Sequence, residues 1–159
     1  MSDVARRDVP TLAAEDLVGL AHTEHAPTPL GEGIYAERTT DATYAELLAR
    51  ARMLLARGES VVLDASWGTA AARDDAAALA EATAADIVEL RCEAPETVMA
   101  TRIADRTRAG TDASDASPEI ARALAARADP WPSATTVETS GPVEATLSAA
   151  RRAVRLPVR

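Results

Sequence analysis

The chain has 159 residues, enough for one domain with a buried core, and its 47% hydrophobic and 26% charged residues are typical of a globular protein. The formal net charge is −8, and all 17 basic residues are arginine. This average charge repels a polyanion such as duplex DNA, which argues against nucleic acid as a partner.

The sequence carries no signal for export or membrane insertion. A single cysteine, Cys92, excludes an internal disulfide and favours a reducing compartment. There is no basic-then-apolar start and no apolar run of about 18 residues. We therefore expect a cytoplasmic protein without a membrane partner, in which Cys92 is buried as a small apolar residue.

Apolar periodicity alternates between helical and strand-like segments, which predicts an α/β domain. One helix is expected between an N-cap at Thr39 or Thr40 and a stop at Gly58. Single helices separate the strands, so the strands should run parallel. The other predicted helices cover residues 4–9, 12–20, 70–82, 95–109, 118–128 and 142–154, the strands cover 60–64, 86–92 and 135–138, and loops cover 21–39 and 111–117.

An apolar strand that ends in a carboxylate is the most informative local pattern. Residues 61–66 read Val-Val-Leu-Asp-Ala-Ser, and Asp64 would stand at the carboxyl end of the strand. Many nucleotide-binding α/β proteins place a metal-organising or catalytic acid there. Asp64 could also cap the helix that follows, and with Gly68 between them both roles are compatible. Ser66 and Arg73 lie just downstream and are candidate substrate contacts.

Two arginines on one predicted helix are the second candidate feature. Arg102 and Arg106 are four residues apart and share a helical face. Such arginines can close over a transferring phosphate and neutralise developing charge. The alternative is that these arginines form an exposed, solvated row beside Glu96 and Asp105.

Near the N-terminus, Asp3 and Arg6 stand at i and i+3 of a predicted helix start. Asp3 could accept a hydroxyl proton while Arg6 holds the substrate. The alternative is a capping aspartate beside a solvated arginine. His22 and His25 have no third ligand at suitable spacing, so no metal site is predicted.

Taken together, these segments resemble the P-loop kinase family that contains polynucleotide kinase, gluconate kinase and zeta-toxin-like kinases. The likeness is greatest to the ATPase half of bacterial proteins in which an aminoglycoside-phosphotransferase-like domain precedes an AAA-type kinase domain. It spans nearly the whole chain, from residue 2 to about residue 154. The segments that carry it are Ser2-Asp3-Val4-Ala5-Arg6, Gly31-Glu32-Gly33-Ile34-Tyr35, Thr43-Tyr44, Val61-Val62-Leu63-Asp64-Ala65-Ser66, Arg73, Arg102 with Arg106, and Asp112-Ala113-Ser114-Asp115-Ala116.

The resemblance implies a role for each matching residue. On the acceptor side, Asp3 matches the general base at the end of the family's second strand, and Arg6 matches its acceptor-side arginine. Asp64 matches the acid that ends the third strand. Arg102 and Arg106 match the lid arginines that meet the donor phosphates. ATP and Mg²⁺ are cofactors implied by the family alone.

One departure from the family is large, because this sequence contains no G-x-x-x-x-G-K-[ST] and no lysine. That loop supplies the backbone N–H cradle, the lysine and the Mg²⁺-binding hydroxyl, and the family places it with its first strand upstream of the position of Met1. The family's strand order, 2-3-1-4-5, puts the first strand between the third and fourth. Here the strands near 61–64 and 87–90 should therefore either pair or leave exposed edges.

We accordingly expect an α/β fold with a three-layer parallel sheet and helices on both faces, P-loop kinase-like but missing the first strand and P-loop. Residues 1–159 would form a single truncated domain, with a lid near residues 100–128. The truncation would reflect a misassigned start, a broken gene, or a missing half supplied by another polypeptide.

Two functions follow from this pattern. The first is an ATP-dependent phosphotransferase domain that acts on a small-molecule hydroxyl and is inactive alone without its Walker A half. The alternative is a non-catalytic protein-interaction module derived from such a kinase. Gluconate-like, nucleoside-like, sugar-nucleotide and antibiotic acceptors all remain open.

Overall fold

A computed structural model of the protein describes residues 9–17, 37–109 and 118–154. Contacts within the chain divide it into two compact units, Met1–Ala21 with Pro27–Ser66, and His22–Ala26 with Trp67–Arg159. The helices are Ala14–Leu17 (α1), Glu37–Leu55 (α2), Ala70–Ala82 (α3), Glu96–Ala109 (α4), Pro118–Arg127 (α5) and Val143–Val154 (α6), and the strands are Thr11–Ala13 (β1), Val62–Asp64 (β2), Leu90–Glu93 (β3) and Thr135–Glu138 (β4).

In the first unit, β1 and β2 form a two-stranded parallel sheet in which Ala13 lies opposite Asp64. α2 packs against β1 and α1. Leu47 and Ala51, one helical turn apart on α2, are both fully buried. Gly58 has a φ of +74°, and it closes the turn that ends this helix.

In the second unit, β3 and β4 form another two-stranded parallel sheet, from Leu90 opposite Thr135 to Glu93 opposite Glu138. α6 packs against β4, and Val137 of β4 is almost completely buried. Among the described residues of this unit, the other buried apolar side chains belong to α3 and α4, and they are Ala72, Leu79, Ala80 and Ile103.

An ion pair joins α4 to α5. Arg122 on α5 donates to the carboxylate of Glu96 at the start of α4. This hydrogen bond, together with the charge of Glu96, raises the pKa of Arg122. Both side chains are more than half exposed, so the pair fixes geometry more than it adds stability.

The α/β class and the parallel strand direction are confirmed. α3 and β4 begin and end at the predicted residues, and α5 and α6 lie within a residue of their predicted ends. Within the first unit β2 pairs with β1, and within the second β3 pairs with β4; both expectations for the strands near 61–64 and 87–90 stay predictions. The single truncated domain and its lid remain predictions.

Two predicted helices were wrong in part. Leu12 and Ala13 belong to β1 and not to a helix, because pairing with β2 outweighs the local pattern. α2 already begins at Glu37, so Thr39 and Thr40 lie inside the helix and cannot be its N-cap. The helix predicted over residues 4–9 lies outside the described residues apart from its boundary residue Val9.

The strand predicted over residues 86–92 is shorter and shifted. It covers only Leu90–Glu93, because β4 is too short to pair with the residues before it. Ile87 and Val88 are therefore 47% and 41% exposed, unusual for strand-like β-branched residues. Cys92 is exposed as well, so the prediction that it is buried was wrong.

Candidate functional site

The predicted site residues fall in three places. Asp3 and Arg6 lie outside the described residues, as do the two histidines and the loop at 111–117. Asp64 and Ser66 belong to the first unit, whereas Arg73, Arg102 and Arg106 belong to the second.

The carboxyl end of β2 presents polar groups to solvent. Asp64 is its last residue, as the sequence pattern predicted, and its side chain is exposed. Two residues later, the hydroxyl of Ser66 shares a hydrogen bond of 3.0 Å with the phenol oxygen of Tyr44 on α2. The Ser66–Tyr44 hydrogen bond fixes the direction of the chain after β2. The Asp64 carboxylate stays exposed at the end of the strand.

The N-terminus of α3 is occupied by two caps. Thr69 is the N-cap residue, and its hydroxyl accepts from the backbone N–H of Ala72 at 3.3 Å. The carboxylate of Asp129, far along the chain, accepts from the N–H of Ala70 at 2.7 Å. The alternative in which Asp64 caps this helix was therefore wrong, since Thr69 and Asp129 fill that position.

Arg73 holds two distant segments of the second unit together. Its side chain is only 7% exposed, and its guanidinium donates to the carbonyl oxygens of Trp67 at 2.7 Å and Pro130 at 2.8 Å. The same guanidinium lies 5.0 Å from the centre of the Trp131 ring, a cation–π distance. We call Trp67, Arg73, Asp129, Pro130 and Trp131 the Arg73 clamp.

Backbone geometry supports a structural part for the clamp. Trp67 has a φ of +48°, a left-handed conformation that non-glycine residues rarely adopt. Its carbonyl is the one that accepts from Arg73, and the N–H of Asp129 donates to the carbonyl of Gly68 at 2.8 Å. The contacts of Arg73 thus hold a strained turn in place, and its binding of substrate remains a prediction.

A cavity of about 350 Å³ borders the clamp. One guanidinium, from Arg73, and the carboxylates of Asp74 and Glu89 line it together with Trp131. The indole N–H of Trp131 is buried and has no hydrogen-bond partner within the described residues. Because opposite charges line the walls, the cavity does not select for an anion.

Arg102 lies at the carboxyl ends of β3 and β4. Its guanidinium donates to the backbone carbonyl of Thr139, and the Thr139 hydroxyl is 3.5 Å away. That hydroxyl donates to the carbonyl of Glu93 at 2.9 Å, and the N–H of Thr139 donates to the same oxygen at 2.7 Å. Arg102 therefore sits where ligands bind in parallel α/β sheets. Arg106, one turn further along α4, is exposed.

Within the described residues, Arg73 and Arg102 do not share a hydrogen-bond partner. Arg73 is bonded to the segment that leads into β4, whereas Arg102 is bonded to the residue that follows β4. Sequence reasoning missed Thr139, which no motif marks. It also missed the clamp, for which the proline-flanked Trp131 was an available signal.

Glu138, next to Thr139, has a pKa below its ordinary value of 4.5. The main cause is the backbone N–H of Ser140, which donates to a carboxylate oxygen at 2.8 Å, followed by the Ser140 side chain, and the charge of Arg102 adds a smaller effect. Because the folded-state pKa is lowered, the stability this carboxylate contributes is present above the unfolded value and is lost as the pH falls through the folded pKa.

Carbon-13 NMR titration of Glu138 should therefore give a midpoint below 4.5. Ser140→Pro removes the N–H donor and should raise the midpoint most, whereas Arg102→Ala should raise it less. An unchanged midpoint in Ser140→Pro would show that the backbone hydrogen bond is not the cause.

The part of the chain that the structure describes contains no group of three or more His, Cys, Asp or Glu side chains able to hold a metal ion. Across the same residues, no helix is both long and apolar enough to cross a membrane. At the α3 N-terminus, the N–H of Ala70 already donates to the carboxylate of Asp129 and is not available to a phosphate.

A family model described as an AAA domain matches residues 2–131. The match covers most of the chain, so the protein belongs to this AAA family, which is P-loop kinase-like. Uncharacterized proteins of Mycobacterium bovis and of two strains of Mycobacterium tuberculosis are 46% identical to it over 118 residues. That alignment covers 74% of this chain but 23% of each relative, so the chain spans about a quarter of the relatives' length. No solved structure matches the chain.

Proposed function

We propose that this chain is the acceptor and lid part of an ATP-dependent phosphotransferase that acts on the hydroxyl of a small molecule in the cytoplasm. The observation that carries the proposal is the match of residues 2–131 to a kinase-like AAA family. In this proposal the phosphate-binding G-x-x-x-x-G-K-[ST] segment comes from an upstream kinase half or from another polypeptide, and the chain alone is inactive.

The small sheets and their exposed residues support the proposal that a further strand, with its phosphate-binding loop, comes from elsewhere. Within the described residues each sheet has only two strands, β1 with β2 and β3 with β4. Val62 of β2 is 48% exposed, and Ile87 and Val88 beside β3 are nearly as exposed. Parallel strands are ordinarily buried on both faces, so such exposure is typical of strands that lack a neighbour.

The positions of the described side chains support their proposed roles. Arg102 supplies positive charge at the carboxyl ends of two strands, and Arg106 adds a second exposed cation one turn away. Asp64, exposed at the end of β2, serves the acceptor side with Ser66 nearby. Asp3 and Arg6 retain their proposed roles as base and acceptor contact.

A non-catalytic interaction module is the second candidate, and the exposed apolar strand residues favour it equally. The DNA just upstream of the Met1 codon separates the two. An in-frame strand, G-x-x-x-x-G-K-[ST] and helix there would support the phosphotransferase. A stop codon followed by unrelated sequence would support the interaction module.

Isothermal titration of the 159-residue chain with ATP and Mg²⁺ tests whether the chain is self-sufficient. Without a lysine and a backbone N–H cradle, the γ-phosphate lacks its main ligands, so we expect no binding tighter than about 1 mM. Mg²⁺-dependent binding in the micromolar range would refute this part of the proposal.

A further inference from the structure

α6 has an apolar stripe beside the face that it packs against β4. Thr146, Ala149 and Ala153 are half-buried on the packed face, and the Thr146 hydroxyl donates to the carbonyl of Glu138 at 3.3 Å. Next to that face, Val143, Leu147 and Val154 are 66%, 47% and 57% exposed. These three and the half-buried Ala150 recur every four, three and four residues, the spacing of a helix-pairing seam.

The stripe has a self-complementary spacing. When two α6 helices run antiparallel, Val143 meets Val154 of the second copy and Leu147 meets Ala150 of the second copy, in both directions. A two-fold axis requires this relation, because each contact must be repeated with the roles exchanged. The spacing thus fits a second copy of this helix better than an arbitrary apolar segment.

The charges that border the stripe have the same symmetry. Glu144 and Arg151 lie on its solvent side, seven residues apart. In the antiparallel pair, Glu144 of each copy faces Arg151 of the other copy. Within the described residues neither side chain has a hydrogen bond or ion pair. Two interhelical ion pairs would therefore form without breaking existing ones.

From this spacing and charge complementarity we infer that two copies of the chain associate through an antiparallel α6–α6 contact. A pair of twelve-residue helices buries less surface than the roughly 1,200 Å² of stable complexes, so the contact is weak. A dissociation constant on the order of 100 µM is expected. The inference does not depend on the phosphotransferase proposal, because α6 lies outside the family match.

Sedimentation equilibrium of the full chain, from about 10 µM to about 1 mM, tests the contact. The wild type should pass from monomer to dimer over this range. Glu144→Arg or Arg151→Glu alone should weaken the dimer about tenfold, because each replaces two attractions with repulsions. Combining both reversals should restore the affinity to within about threefold of wild type.

Arg152→Glu is the matched control, because it makes the same charge change on the far side of the helix, where Arg152 bonds the Ser148 hydroxyl at 2.9 Å. It should leave the dimer unchanged. The double reversal opposes the helix dipole at both ends, so recovery there cannot come from a more stable helix. Three results would each overturn the inference: a wild type that stays monomeric, a dimer that is insensitive to the single reversals, or a double reversal that does not recover the affinity. If another protein covers this stripe, the wild type should stay monomeric.

Discussion

Replacing Arg73 with alanine is expected to lower the free energy of unfolding by about 3 kcal/mol. The substitution removes a cation–π contact and leaves the carbonyls of Trp67 and Pro130 without their donor. It also releases the left-handed turn at Trp67, which these contacts hold. Urea unfolding measures the loss as a lower midpoint with an unchanged slope.

Two further variants make this result specific. Arg73→Lys keeps the charge but not the planar fork that reaches two carbonyls, so it should recover about half of the loss at most. Arg57→Ala, at an exposed position in the turn after α2, should change the stability by less than about 0.5 kcal/mol. If Arg73→Ala behaved like Arg57→Ala, the clamp would not stabilise the fold.

Replacing Arg102 with alanine is expected to reduce phosphotransfer about 100-fold in a fusion that carries a strand, G-x-x-x-x-G-K-[ST] and helix before Met1. The exposed guanidinium at the carboxyl ends of β3 and β4 would otherwise neutralise charge that develops during transfer. The measurement is the rate at which this fusion forms ADP and phosphate from ATP, with water accepting the phosphoryl group in place of the unidentified hydroxyl substrate.

Arg108→Ala is the control for that experiment. Arg108 lies on the same helix, but it is paired with Asp105 at 2.8 Å and both side chains are mostly exposed. Its removal should leave the rate within about twofold. Equal rates for the Arg102 and Arg108 variants would mean that Arg102 is not part of the reaction.

Elements with strong local signals could be predicted from the sequence. α3 has a threonine at its N-cap and an alanine-rich body, and both of its ends match the prediction. β4 ends at Glu138 as predicted, just before the Gly141-Pro142 pair. β1 could not be predicted, because three residues are too few to show a periodic pattern and their pairing with Val62–Asp64 is a non-local contact.

The candidate site could be predicted only in outline. The place of Asp64 at the carboxyl end of β2 could be predicted from the apolar run that precedes it. The burial of Arg73 did not follow from the sequence, because its partners Pro130 and Trp131 are nearly sixty residues away. The contact between Arg102 and Thr139 was equally hidden, since it depends on the pairing of β3 with β4.

The most direct test is ATP turnover by three proteins: the 159-residue chain, the fusion described above, and the fusion with the lysine of its phosphate loop replaced by alanine. If this chain is the acceptor and lid part of a phosphotransferase, only the intact fusion should release ADP. A folded fusion that is no faster than its lysine variant, or turnover by the chain alone, would contradict the account.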